Sequence, residues 1–231
     1  MAITRIIKSE KGFTLIELLV ALAILGGILT GVVFMFTSTS RYHTGQEMMV
    51  EVTQNIRAAK NLMVDELRSA GCNPDTVGRI GFEINLHDER FDTDDDSLHF
   101  TRDIDNGDND QFYEPDGDTN DPNEDISYYR VDAGGNLLPS NSTAIGTLVR
   151  NTGGGGQVVV DNVVGLQFRY FDASDPVQEI LPGTMTKESV LSKIRTVEVT
   201  ITGQVQNPNR VSLAASTWTQ QFRIRIRNLS D

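Results

Sequence analysis

The chain has 231 residues, of which 39% are hydrophobic and 23% are charged, a balance that excludes a wholly disordered chain and a polytopic membrane protein. Its single cysteine, Cys72, excludes an intrachain disulfide and a zinc site built from cysteine pairs. The 20 Lys and Arg against 32 Asp and Glu give a net charge of −12, so phosphate backbones are repelled and no nucleic-acid partner is expected.

Charge and hydrophobicity are both segregated along the chain. Residues 88–125 contain 16 Asp and Glu and two Arg, a local charge of −14 that leaves +2 for the remainder. Residues 13–36 form an apolar run of 24 residues in which Glu17 is the one ionisable side chain. These two segments, rather than the average composition, direct the functional interpretation.

The apolar run predicts a membrane-spanning helix. A helix of this length rises about 36 Å, and the hydrocarbon core of a bilayer is about 30 Å thick. The preceding residues 1–12 contain Arg5, Lys8 and Lys11, so the positive-inside rule keeps this end in the cytoplasm and places the C-terminal domain outside it. A cleaved secretory signal is the alternative, although its apolar region has only about 7 to 15 residues.

Glu17 is costly within a span. Taken alone, it is interpreted as an interfacial residue that the helix macrodipole favours. The residues around it, however, read KGFTLIELLVALAIL over 11–25 and closely resemble the type IV prepilin signature. The resemblance implies that 1–12 is a basic leader, that prepilin peptidase cleaves after Gly12, and that the new N-terminal Phe13 is N-methylated.

The same resemblance implies a role for Glu17 in assembly. Cleavage creates an ammonium group at Phe13 inside an apolar filament core, and the Glu17 carboxylate of a neighbouring subunit neutralises it. The implied partners are other pilin or pseudopilin subunits, the peptidase, an inner-membrane assembly platform and, before assembly, the lipid membrane. The implied location is the inner membrane, as a single-pass protein with a periplasmic C-terminal domain, and then the pilus or pseudopilus.

Beyond the span, the periodicity predicts an α+β fold. Apolar residues recur at helical spacing, so we expect an amphipathic helix over 37–72 that Gly71 and Pro74 terminate. Residues 73–231 alternate as strands do, and we expect the long N-terminal helix to pack on an antiparallel sheet, as in type IV pilins. The predicted strands are residues 80–86, 97–102, 126–131, 147–151, 157–171, 194–205 and 217–229.

The second half of the chain extends the resemblance. Segments 126–131, 161–172 and 194–199, with DELRSAG at 65–71, are similar to PilW-type minor pilins and to J-type minor pseudopilins of type II secretion. This similarity implies a minor subunit that helps initiate or cap a type IV pilus, with a pseudopilus subunit as the alternative. The acidic insertion at 88–125 departs from the J-type pattern, and a membrane-anchored calcium-binding adhesin is a further alternative.

The acidic insertion offers oxygen ligands at alternate positions, which suit Ca²⁺. No window matches a complete EF-hand loop, because the glycine or the final glutamate is displaced. A solvated loop without an ion is the competing interpretation, since charge runs are usually solvated. The candidate calcium ligands are Asp103, Asp105, Asp108, Asp110, Asp116, Asp118, Asn120 and Asp121.

Motifs for catalysis are missing from the sequence, and we expect no enzyme activity. The three histidines do not have HExxH spacing, no GxSxG turn occurs, and the glycines at 153–156 are not followed by the Lys of a phosphate-binding loop. The alternating Arg223, Arg225 and Arg227 are interpreted as the solvated face of a strand, with contact to acidic neighbours as the alternative.

Overall fold

The apolar and amphipathic runs form one continuous helix, α1 (Leu15–Ser69), in a computed structural model of the chain. Gly71 ends it with a left-handed backbone (φ 72°), a conformation that glycine adopts at low cost. The termination that the sequence predicts at Gly71 is therefore confirmed. The structure describes residues 12–73, 80–83, 92–104, 115–119, 121, 123–174, 176–181, 183–205 and 216–229.

The chain divides into two compact units, Met1–Gln46 and Glu47–Asp231. The first contains the apolar part of α1. The second contains the remainder of α1 and one antiparallel sheet of seven strands in the described residues, so the predicted α+β class is confirmed. After α1 the elements are β1 (Ser97–Thr101), β2 (Asp125–Val131), β3 (Gly146–Asn151), β4 (Gly156–Phe171), β5 (Glu179–Ile180), α2 (Glu188–Leu191), β6 (Thr196–Gln204) and β7 (Thr217–Arg225).

The spatial order of the sheet is β1-β2-β3-β4-β6-β7, and β5 pairs with the end of β4. Six of the seven predicted strands match β1, β2, β3, β4, β6 and β7 to within a few residues. The remaining one, 80–86, contributes an isolated bridge between Phe82 and Phe100, and its residues 84–86 lie outside the described residues. The short elements β5 and α2 were not predicted, because neither is long enough to show a period.

The amphipathic part of α1 packs on one face of the sheet. Its buried apolar side chains are spaced three or four residues apart, which places them on one side of the helix. The helix approaches β6 closely at Gly203, where a Cβ atom would lie 2.7 Å from Val52 Cγ1 and Ile56 Cδ1. Glycine at this position therefore permits direct helix-on-strand contact. The core residues of α1 are Val52, Ile56, Ala59, Met63 and Leu67.

Candidate functional site

The first turn of α1 is closed by reciprocal hydrogen bonds between Thr14 and Glu17. The Thr14 amide and hydroxyl donate to Glu17 Oε2 at 2.8 and 2.9 Å, and the Glu17 amide donates to Thr14 Oγ1 at 3.3 Å. This is a capping box, in which two side chains satisfy helix amides that have no partner within the helix. The T-x-x-E spacing is the sequence signal for it, and sequence reasoning overlooked Thr14.

The cap holds the Glu17 carboxylate at the N-terminal end of the helix. Phe13, which the sequence predicts to become the chain terminus by cleavage after Gly12, directly precedes Thr14 and is 92% exposed. The predicted cleavage, methylation and assembly residues thus lie within six consecutive positions at the start of α1. The Glu17 carboxylate and the nitrogen of Phe13, the predicted new terminus, lie at the same end of the helix, and both residues are exposed.

The helix that follows presents an apolar surface. From Leu15 to Phe36 every side chain is exposed, and the helix is long and apolar enough to cross a membrane by length and composition. The hydroxyls of Thr30 and Thr37 are satisfied within the helix itself. They donate to the carbonyls of Gly26 at 2.8 Å and Val33 at 3.0 Å, so both residues are compatible with an apolar environment. Such a surface suits lipid or the apolar faces of other helices.

A family model described as "Prokaryotic N-terminal methylation motif" matches residues 7–33. The chain carries a type IV prepilin-like N-terminus. This motif indicates a type IV pilin or pseudopilin family protein, and it implies processing by a peptidase and assembly with other pilin subunits. Together with the apolar helix, the prepilin-like N-terminus fits a membrane-anchored single-pass protein. Searches of curated proteins and of solved structures found no match to this chain.

A buried ion pair fastens the end of α1 to the sheet. Arg150 on β3 donates from Nε to both carboxylate oxygens of Glu66, at 3.0 and 3.2 Å; Glu66 is buried, and the side chain of Arg150 is 11% exposed. Tyr128 on β2 donates its hydroxyl to Glu66 Oε2. Burial, and then the adjacent Glu66 carboxylate, raise the pKa of Tyr128 well above its usual value, so its hydroxyl remains a donor.

A second arginine extends this attachment to the last turn of α1. Arg102 donates to Ser69 Oγ at 2.6 Å and to the Asn123 carbonyl at 2.8 Å, and Arg150 donates to Asn123 Oδ1 at 2.8 Å. Hydrogen bonds therefore link α1 to residues that follow β1 and precede β2. Sequence reasoning did not find these partners, because Glu66 and Arg150 are 84 positions apart and their pairing depends on strand order.

The candidate calcium ligands that the structure describes differ in burial and in hydrogen bonding. Asp103 is fully buried, and its two carboxylate oxygens accept the amides of Asp116 at 3.2 Å and Gly117 at 3.0 Å. It therefore organises the backbone of this loop and is not one of the clustered carboxylates. Asp116, Asp118 and Asp121 do lie together, with one oxygen of each within 4.8 Å of the others.

These three carboxylates are the described residues that could hold a cation, and exposed acidic groups are also common without one. Four other candidates, Asp105, Asp108, Asp110 and Asn120, lie outside the described residues. Calcium binding stays a prediction, and so does the solvated loop. Arg223, Arg225 and Arg227 are all exposed, as the sequence predicts for the solvated face of a strand, and Arg223 also contacts the buried Glu198.

We expect Glu66→Gln to lower the free energy of unfolding by about 3 to 5 kcal/mol, because it leaves the largely buried Arg150 guanidinium without its carboxylate. Chemical denaturation of the full chain in detergent measures the change. The matched control is Asp65→Asn, which neutralises the adjacent, exposed carboxylate and should change stability by less than about 0.5 kcal/mol. Equal effects of the two substitutions would contradict a specific role for the Glu66 pair.

The calcium interpretation predicts that Ca²⁺ raises the melting temperature of the full chain and that a chelator lowers it. Binding to the folded state alone contributes about 2.7 kcal/mol at roughly a hundredfold excess over Kd, and Mg²⁺ should substitute poorly. Asp118→Asn should abolish the response, whereas Glu51→Gln on the exposed side of α1 should preserve it. Melting curves that are identical with calcium and with chelator would leave the solvated loop as the explanation.

Proposed function

We propose that this protein is a minor pilin subunit that helps initiate or cap a type IV pilus after cleavage between Gly12 and Phe13. The observation that supports this proposal most directly is the prepilin-like N-terminus over residues 7–33, followed by an exposed apolar helix. The proposed activity is assembly and not catalysis. A minor subunit of a type II secretion pseudopilus is the alternative, since its assembly would use the same N-terminal residues.

Before assembly, the proposed topology places the leader in the cytoplasm, the apolar helix in the inner membrane and the sheet domain in the periplasm. Cleavage after Gly12 leaves an ammonium group at Phe13, and N-methylation preserves its positive charge. Transfer of this group from the membrane surface into an apolar filament core is unfavourable unless a negative group compensates it. The Glu17 carboxylate of an adjacent subunit supplies that compensation.

The capping box supports this mechanism by orienting Glu17. Its carboxylate accepts two hydrogen bonds from Thr14 and is thereby held beside the helix N-terminus. Ordering the side chain in advance reduces the entropy lost when it pairs with a neighbour. We infer that Thr14 is a positioning residue, while Glu17 provides the charge. The apolar surface of residues 15–36 that faces lipid before assembly would contact neighbouring helices afterwards.

The minor rather than major role is supported by the resemblance of the β-rich half to PilW-type subunits, while the acidic insertion at 88–125 departs from the J-type pattern of the alternative. The anchored calcium-binding adhesin remains a competing proposal, favoured by the carboxylate cluster Asp116, Asp118 and Asp121. The two proposals differ at the N-terminus. An anchored adhesin would retain the leader, whereas a pilin would lose it.

We expect Glu17→Val to preserve membrane insertion and to reduce incorporation into filaments strongly, because it removes a charge from the span and the partner of the Phe13 ammonium. Immunoblots of membrane and sheared-filament fractions measure both properties. Thr14→Ala keeps the charge and loses only the cap, so its defect should be smaller. Glu51→Gln, outside the apolar segment, is the matched control.

Incorporation of Glu17→Val at the level of the unchanged protein would contradict pairing between Glu17 and a neighbouring ammonium. A subunit at the filament tip has a neighbouring subunit on one side only. Its Glu17 carboxylate then has no ammonium group to pair with, although its own Phe13 ammonium group still needs the carboxylate of a neighbour. Counting labelled subunits along single filaments resolves this case, because a tip subunit gives one signal at one end.

A further inference from the structure

An arginine-rich cleft lies between the last turns of α1 and the strand β7. It encloses about 730 Å³, and its walls include Val64 on the helix and Ile224 and Ile226 on and after the strand. Five of the chain's 20 Lys and Arg line this one depression, although the protein as a whole carries a charge of −12. The arginine cleft is formed by Arg68, Arg195, Arg223, Arg225 and Arg227.

The five arginines differ in the hydrogen bonds and ion pairs that they form within the protein. Arg195 donates to the carbonyls of Ser192 and Ile194 at 2.7 and 2.9 Å. Arg223 bonds Glu198, and Arg68 has Asp65 at 4.0 Å. Arg225 and Arg227, by contrast, are exposed and contact no carboxylate in the part of the chain that the structure describes.

Like charges this close repel one another, which destabilises the free protein unless a counter-charge compensates it. Arg223 and Arg225 lie two apart on β7, where such residues share one face about 7 Å from each other, and Arg227 follows the strand at the same interval. The positive charges at Arg225 and Arg227 are therefore repeated at the spacing of a strand and remain available to an anionic group from outside.

The backbone beside these side chains is also available. β7 is the last strand in the sheet order, so one of its edges faces no other strand among the residues that the structure describes. The Ile226 amide donates to the Arg195 carbonyl on the β6 side at 2.9 Å. Because hydrogen bonding alternates along an antiparallel pair, the backbone groups of Arg223 and Arg225 point to the free edge. An extended chain can pair there.

We propose that the arginine cleft binds the acidic segment 105–114 of a second copy of this chain, which adds to the free edge of β7 as a strand. That segment reads DNGDNDQFYE, and in an extended conformation Asp108 and Asp110, two positions apart, share one face. Their spacing matches that of Arg225 and Arg227, and opposite charges across paired strands are favourable. The proposal goes beyond the pilin function, because it concerns contact between two copies.

The contact is heterologous, since the acidic segment of one copy meets a different surface on the next. A contact of this kind joins two copies without closing a symmetric dimer. The segment carries four acidic residues and the edge presents arginines, so the contact should weaken as the salt concentration rises. Pairing with the backbone of the strand edge fixes which side chains meet, so the contact should also depend on the order of the residues in the segment.

The test is fluorescence anisotropy of a labelled peptide of residues 105–114 titrated with the full chain in detergent. We expect saturable binding that Arg225→Glu/Arg227→Glu weakens by about tenfold or more, because both cross-strand charge pairs are reversed. The matched control Arg57→Glu/Lys187→Glu makes the same charge change at two exposed positions outside the cleft and should stay within about twofold.

Three outcomes would overturn the proposal. No binding of the peptide to the unchanged protein would exclude the acidic segment as the occupant. A scrambled peptide of equal composition that binds equally well would exclude strand pairing in register. A single-stranded oligonucleotide of equal charge that displaces the peptide at lower concentration would identify the cleft as a nucleic-acid site. Equal melting temperatures of the two double variants exclude unfolding as the cause of lost binding.

Discussion

A charge that leaves water needs an opposite charge or hydrogen bonds in compensation, and three glutamates of this chain illustrate that constraint. Inside the domain, Glu66 is buried and meets Arg150 in a two-oxygen pair. On the sheet, Glu198 accepts from Arg169 at 2.8 Å. At the membrane end of α1, Glu17 is satisfied locally by its cap and is proposed to take its opposite charge from a neighbouring subunit.

One continuous helix links two kinds of surroundings. The stretch from Leu15 to Phe36 exposes apolar side chains and keeps its threonine hydroxyls bonded to its own backbone, which suits lipid and helix neighbours alike. The amphipathic stretch buries its apolar side against the sheet and ends in the Glu66 and Arg102 contacts. A filament subunit requires both properties, since one part must assemble and the other must hold a folded domain.

The sequence predicted the features that depend on local periodicity and on a contiguous motif: α1, six strands and the prepilin-like N-terminus. It did not predict contacts between distant positions, such as Glu66 with Arg150, because strand order decides which side chains meet. Asp103 illustrates the limit in another way. Its acidic neighbours suggested an ion ligand, whereas the fold buries it and uses its oxygens to bind loop amides.

The most direct test of the proposed pilin function is the intact mass of the protein purified from membranes of cells that have a prepilin peptidase. A prepilin yields a chain that begins at N-methylated Phe13, and Gly12→Val blocks this cleavage because a site fitted to glycine excludes a larger side chain. A purified chain that retains residues 1–12 would contradict the assignment. So would a chain that is cut after the apolar helix, as a secretory signal would be.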